Sequence, residues 1–81
     1  MAKRYQRGRL HAIVVRDGAW FVAECLEIAI VTQGRSLDET VEALREAVAL
    51  HLEGEDTAAH GLTAAPGLVV QYETELPPYF R

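Results

Sequence analysis

Between Asp17 and Glu53 the apolar residues change their spacing from strand-like runs to a helical period, and they do so at one marked position, Gly34-Arg35-Ser36. Before it stand short apolar runs that read as strands; after it, Leu37, Val41, Leu44, Val48 and Leu52 recur at steps of four, three, four and four, the spacing of one face of a helix. Glycine allows a sharp turn there, and Ser36 with Glu39 makes a capping box for a helix over about Leu37 to Leu52. Asp38 and Glu39 fall in the first turn, where the helix dipole favours negative charge, and Gly54 stands just past the end as a left-handed cap. Ala43, Ala47 and Leu50 form a second, smaller apolar strip beside the first.

Upstream, Leu10 to Arg16 reads as a strand with Leu10, Ala12 and Val14 on one face and His11, Ile13 and Val15 on the other. Asp17-Gly18 signals a tight hairpin of type I′, so a second strand over Ala19 to Cys25 is expected to run antiparallel to the first. A third apolar, β-branched run covers Ile28 to Gln33 before Gly34 stops it. Downstream, Glu53 to Gly67 is small, polar and punctuated by Gly and Pro, which predicts a long connection with a helical turn near Thr57 to His60. Leu68 to Leu76 alternates as a half-buried strand until Pro77-Pro78 ends it. The expectation is an α+β fold: one layer of sheet in the order β-β-β-α-β, four-stranded and mostly antiparallel, with one helix on one face. Residues 1–9 form a basic arm, 10–76 the domain and 77–81 a tail.

One helix covers one face of such a sheet, yet the first three strands carry apolar residues on both. The second face is expected to comprise Ile13 and Val15 with either Trp20 and Val22 or Phe21 and Ala23, according to the pleat's register. At 81 residues the chain buries only about 60 to 65% of its unfolded surface, so its core alone is marginal. The single cysteine forms no internal bridge, and the three histidines have no metal-ligand spacing, which leaves oligomerisation as the expected support. A homodimer or homotetramer burying that face is the expectation; the alternative is that the long connection and Tyr79-Phe80 fold over it. No apolar run approaches a membrane span and no signal peptide follows Lys3 and Arg4, so a soluble cytoplasmic protein with no membrane partner is expected.

The net charge of -4 hides an asymmetry. Lys3, Arg4, Arg7 and Arg9 hold half of the eight basic residues, and the remainder has four basic against twelve acidic residues. An acidic body repels nucleic-acid phosphates and attracts basic proteins, so direct DNA binding is not expected. The arm itself, with Tyr5 among its cations, suggests a candidate nucleic-acid contact through Lys3, Arg4, Arg7 and Arg9, or a frayed end that discourages edge pairing.

Little in the chain suggests catalysis. Cys25 has no neighbouring base and reads as a small buried hydrophobe. Asp38, Glu39, Glu42 and Glu46 fit a solvated helix face, with Arg45 placed to relieve Glu42. Glu24 and Glu27 lie near the sheet's middle strands as two acids without a histidine or lysine beside them, which is weak evidence for acid/base work. No catalytic residue, metal ligand or cofactor is assigned.

The segment from Asp17 to Glu53 resembles the HicB-like antitoxin family in four elements. These are Asp17-Gly18, Phe21-Val22-Ala23-Glu24-Cys25, Thr32-Gln33-Gly34, and Ser36-Leu37-Asp38-Glu39-Thr40 followed by Leu44-Arg45-Glu46-Ala47-Val48. The match covers roughly half the chain, and Leu10 to Val15 extends it. Many members have a proline after the cysteine and Pro-Gly-Cys before the Thr-x-Gly, where this chain has Leu26 and Ala29-Ile30-Val31, so the loop between strands two and three is expected to differ. The resemblance implies a β-β-β-α-β core of reduced ribonuclease-H-like type. It also implies the masking of a small, basic, mRNA-cleaving HicA-like toxin, an act of surface complementarity without catalytic residues. The family's C-terminal DNA-binding segment has no counterpart before Arg81, so operator binding is not expected. The functional expectation is a non-enzymatic module that binds such a toxin or persists as a solitary homo-oligomer; the alternative is an RNA-binding or residual nuclease domain using the basic arm.

Overall fold

The computed structural model describes residues 8–53 and 66–78. Strands β1 (Arg9–Asp17), β2 (Trp20–Cys25) and β3 (Val31–Gly34) precede helix α1 (Leu37–Leu52), and β4 (Gly67–Glu73) follows it. The four strands form one mixed sheet in the order β3-β2-β1-β4. β1–β2 and β2–β3 pair antiparallel, while β1–β4 pair in parallel. The expected α+β fold, with its mostly antiparallel sheet and single helix, is what the chain adopts. The parallel pair follows from the connection: two strands running the same way cannot be joined by a hairpin, and here helix α1 lies in the crossover from β3 to β4.

The core lies between α1 and one face of the sheet. Leu10, Ala12 and Val14 of β1, Ala23 and Cys25 of β2, Ile28, and Leu44 and Val48 of the helix are all buried. The register explains the set: Ala12 pairs with Cys25 and Val14 with Ala23 across β1–β2, and directly opposed residues share a face. Leu68 and Val70 continue the surface on β4 opposite Leu10 and Ala12. Small side chains at positions 12, 23 and 25 let the helix approach the sheet, and Leu44, fully buried, occupies the contact. Thr40 is buried too, its hydroxyl 2.7 Å from the Ser36 carbonyl and 3.3 Å from that of Phe21. Both are acceptors, so the polar group is satisfied where α1 meets the start of β2.

Several local expectations need correction. Asp17 pairs with Trp20, so the two central turn residues are Gly18 and Ala19 rather than Asp17 and Gly18. Only Gly18 has positive φ, at 63°, which fits a type II′ turn with glycine first and not type I′. The third strand begins at Val31 and not Ile28. Ile30 N–H donates to the Ile28 carbonyl at 2.7 Å and Cys25 N–H to the Ile30 carbonyl at 3.0 Å, and a backbone folded into so tight a turn cannot enter a ladder. Ile28 reaches the core from this loop.

At Gly34 the constraint is space rather than a positive φ. This residue is buried against the helix start, where an added Cβ would lie 2.7 Å from Thr40 Oγ1. The capping box is half as expected: Ser36 Oγ accepts from Glu39 N–H at 3.1 Å, but the Glu39 carboxylate accepts from Arg35 N–H at 2.7 Å, one residue earlier than the usual reciprocal bond. Strand β4 ends at Glu73, short of Leu76, which is solvent-exposed. On the second helical strip Ala43 and Ala47 are half-buried and Leu50 is exposed. The expected cap at Gly54 and the helical turn near Thr57 to His60 lie outside the described residues. Among the described residues no helix is long and apolar enough to cross a membrane.

Candidate functional site

The face of the sheet opposite α1 is built from the alternate residues of each strand. Ile13 and Val15 of β1 point away from the helix because Leu10, Ala12 and Val14 point towards it. Val15 pairs with Val22 and Asp17 with Trp20, which brings Ile13, Val15, Trp20 and Val22 onto one surface. Phe21 and Ala23, the other candidate pair, pack with the core. Val31, paired with Glu24, and Val69, paired with His11, carry the surface outward to both edges. Val15 and Trp20 are each 37% exposed and Val31 62%, while Ile13 and Val22 are half-buried. Among the described residues nothing packs over this stripe, and Tyr79-Phe80 and residues 54–65 lie outside them.

Charged residues stand at both ends of this face. At the hairpin end the Arg35 guanidinium lies 4.4 Å from the centre of the Trp20 ring, a cation-π contact that keeps the positive group against the surface. Asp17 is paired with Trp20 across β1–β2. At the other end Glu27 folds back onto β1: one carboxylate oxygen accepts the His11 N–H at 2.8 Å, and the other lies 2.6 Å from His11 Nδ1. An ionised carboxylate only accepts, so Nδ1 carries the hydrogen. Leu26 N–H donates to the His11 carbonyl at 2.8 Å, so Glu27 continues the β1–β2 ladder past the end of β2 with a side chain. Partial burial works to raise the Glu27 pKa, but the bonds from His11 N–H and its ring, with one from the Glu27 backbone, outweigh it. The carboxyl titrates below the ordinary 4.5. Glu24, exposed and in register with Ile13 and Val31, adds a second carboxylate near this end.

The expectation that Glu27 has no histidine beside it is corrected here: sixteen positions separate His11 and Glu27, and only the tertiary fold brings them together. A signal was present in hindsight: a strand ending in Cys25 followed by a loop acid brings that acid beside the start of an antiparallel neighbour.

The remaining candidates occupy ordinary positions. Cys25 is buried. Asp38, Glu39, Glu42 and Glu46 are exposed on α1, with Arg45 Nη1 2.8 Å from Glu42 Oε1 as their spacing suggested. Arg9 is exposed at the start of β1; Lys3, Arg4 and Arg7 lie outside the described residues. Among the described residues no group of three or more His, Cys, Asp or Glu converges as a metal site would require. On the helix side a groove runs between α1 and β4, lined by Val41, Leu50, Leu52, Leu68 and Val70. Its ends, Glu53 and Pro66, are where the chain passes into residues 54–65.

Chemically, the uncovered face offers an apolar centre with charge at its ends, the composition of a protein contact. Comparisons with protein-family models, with curated proteins and with solved structures find no match to this chain.

Proposed function

We propose that this chain is a non-enzymatic protein-binding module of HicB-like type, one that self-associates through its uncovered sheet face. The observation that carries the proposal is that face: Ile13, Val15, Trp20 and Val22 form one apolar stripe in a chain whose core is small enough to need support. The motif resemblance adds a second partner, a small basic mRNA-cleaving toxin of HicA-like type. The acidic excess supports it: outside the first nine residues, twelve carboxylates face four basic residues, a balance that steers cationic proteins towards the surface. Masking a toxin needs complementarity and no reacting group, in keeping with a site made of valines, an isoleucine and a tryptophan.

Co-expression with the reading frame beside its gene tests the toxin-binding half. Recovery of a small basic protein in fixed ratio with this chain, whose growth arrest the chain relieves, is the expected result. A neighbouring frame that encodes no such protein, with the chain recovered alone from native extract, removes toxin masking and leaves a solitary self-associating module.

A further inference from the structure

Strand β4 is an edge of the sheet, next to β1 alone. Gly67 N–H donates to the Gly8 carbonyl, and since backbone groups alternate from side to side along a strand, Gly67, Val69, Gln71 and Glu73 turn theirs towards β1. Leu68, Val70 and Tyr72 therefore each turn an N–H and a C=O to the outer edge, where among the described residues no strand pairs with them. Gly67–Glu73 reads GLVVQYE, without the lysine or proline by which edges are commonly blunted. The side chains of the same three residues point to the helix side. Their partners in β1, Leu10, Ala12 and Val14, are buried, but α1 packs on β2 and β3, which leaves Leu68 and Val70 half-buried and Tyr72 exposed. A further strand beyond β4 satisfies the backbone and covers these side chains together.

We propose that the strand beyond β4 is β4 of a second copy of this chain, paired antiparallel about a twofold axis that passes through the sheet at Val70. The two sheets then join edge to edge, with both helices on one side and both uncovered faces on the other. This contact uses a different surface from the face described above and stands or falls apart from it. One register sets every outward residue against another: Val70 opposite the partner's Val70, and Leu68 opposite the partner's Tyr72. Moving the axis one residue towards Gly67 sets Tyr72 against the partner's Pro66, which has no N–H to give. Moving it one residue the other way sets Leu68 against the partner's Thr74, past the end of the strand. The favoured register also brings unlike charges together. Glu73 lies opposite the partner's Gly67, which has no side chain, and the next residue over is the partner's Arg9. Arg9 Cγ lies 3.9 Å from where a Cβ on Gly67 would stand, so it borders the gap that Glu73 enters. Both residues are exposed, and neither has an ion-pair partner among the described residues. A twofold contact makes this pairing at both ends of the ladder.

Cross-linking tests the register. Residues opposite each other in a hydrogen-bonded antiparallel pair have Cα atoms about 5.5 Å apart, within the span of a disulfide, whereas Val69 and the partner's Val69 fall about 8 Å apart at roughly 3.3 Å per residue, outside it. Val70→Cys is expected to form a disulfide-linked dimer under air oxidation about tenfold faster than Val69→Cys, and to do so still when Val22→Asp is added to break the face contact. The parent, whose cysteine is buried, is the control that stays unlinked. Val70→Pro removes an outward N–H and no bond to β1, so light scattering is expected to show its mass halved while circular dichroism shows it folded; where it does not fold, the cysteine variants decide. If Val70→Cys links no faster than Val69→Cys while Val22→Asp still lowers the parent's mass, this inference falls alone. A Val70→Cys link beside a parent mass that Val22→Asp leaves unchanged upholds it and removes the face contact. A monomeric parent chain, with Val70→Cys unlinked, overturns both.

Discussion

Gly34 is the residue at which packing leaves least room for change. An added Cβ would stand 2.7 Å from Thr40 Oγ1 and 3.1 Å from Thr40 N, and neither atom can move freely, since the hydroxyl is bonded to the Ser36 and Phe21 carbonyls. Gly34→Ala is expected to lower the unfolding free energy by about 1–3 kcal/mol, the usual cost of forcing an extra carbon into a packed site, as measured by urea denaturation. At Gly18 the constraint is different, because nothing lies within 4 Å of the added carbon and only the positive φ opposes it; there the expected loss is about 1 kcal/mol. Glu27 supplies the residue-scale pH dependence. Its pKa is depressed in the folded chain, so its contribution to stability is present above the ordinary value of 4.5 and is lost as pH falls through the folded value. Glu27→Gln should therefore flatten the fall in thermal midpoint below about pH 5, and an unchanged acid limb would contradict the role given to this carboxylate. The Thr40 hydrogen bonds and the His11–Glu27 contact were not legible in the sequence, because each joins residues that only the tertiary fold makes neighbours.

At the scale of elements, α1 was the most legible part of the chain. Its start is fixed by Ser36 Oγ on Glu39 N–H, its extent by the apolar period, and both are local signals; the helix spans Leu37–Leu52 as read. The hairpin was legible in place but not in register. Asp17-Gly18 marks a turn, yet which two residues sit at its centre depends on the pairing of whole strands, and a shift of one residue exchanges the faces. That is why the sequence left Trp20 and Val22 level with Phe21 and Ala23. Strand β3 was over-read because Ile28 and Ile30 look like strand residues, whereas Ile28 enters the core from a tight turn. Two substitutions separate what holds α1 in place. Leu44→Ala empties a fully buried position between helix and sheet and should cost about 2–5 kcal/mol. Ser36→Ala removes one exposed capping bond and should cost about 1 kcal/mol. Equal losses in urea denaturation would mean that the helix is held by its cap rather than by its packing.

For the whole molecule, the single helix leaves a sheet with two unlike faces. The covered one is closed by Leu44 and Val48; the other presents a stripe of Ile13, Val15, Trp20 and Val22 with Arg35 at one end and Glu24 and Glu27 at the other. Composition alone indicated that a second apolar face existed, since both parities of the first strand are apolar, but which residues of the second strand share it emerges only from the pairing of Val15 with Val22. The central claim is that this face is an interface between copies. Its most direct test is the solution mass of the full chain by light scattering across micromolar concentrations, beside Val22→Asp, whose carboxylate would be desolvated in the contact. A parent mass above 9.0 kDa that falls for a folded Val22→Asp is the expected result, and a parent chain that stays at the monomer mass throughout, or whose mass Val22→Asp leaves unchanged, would contradict it.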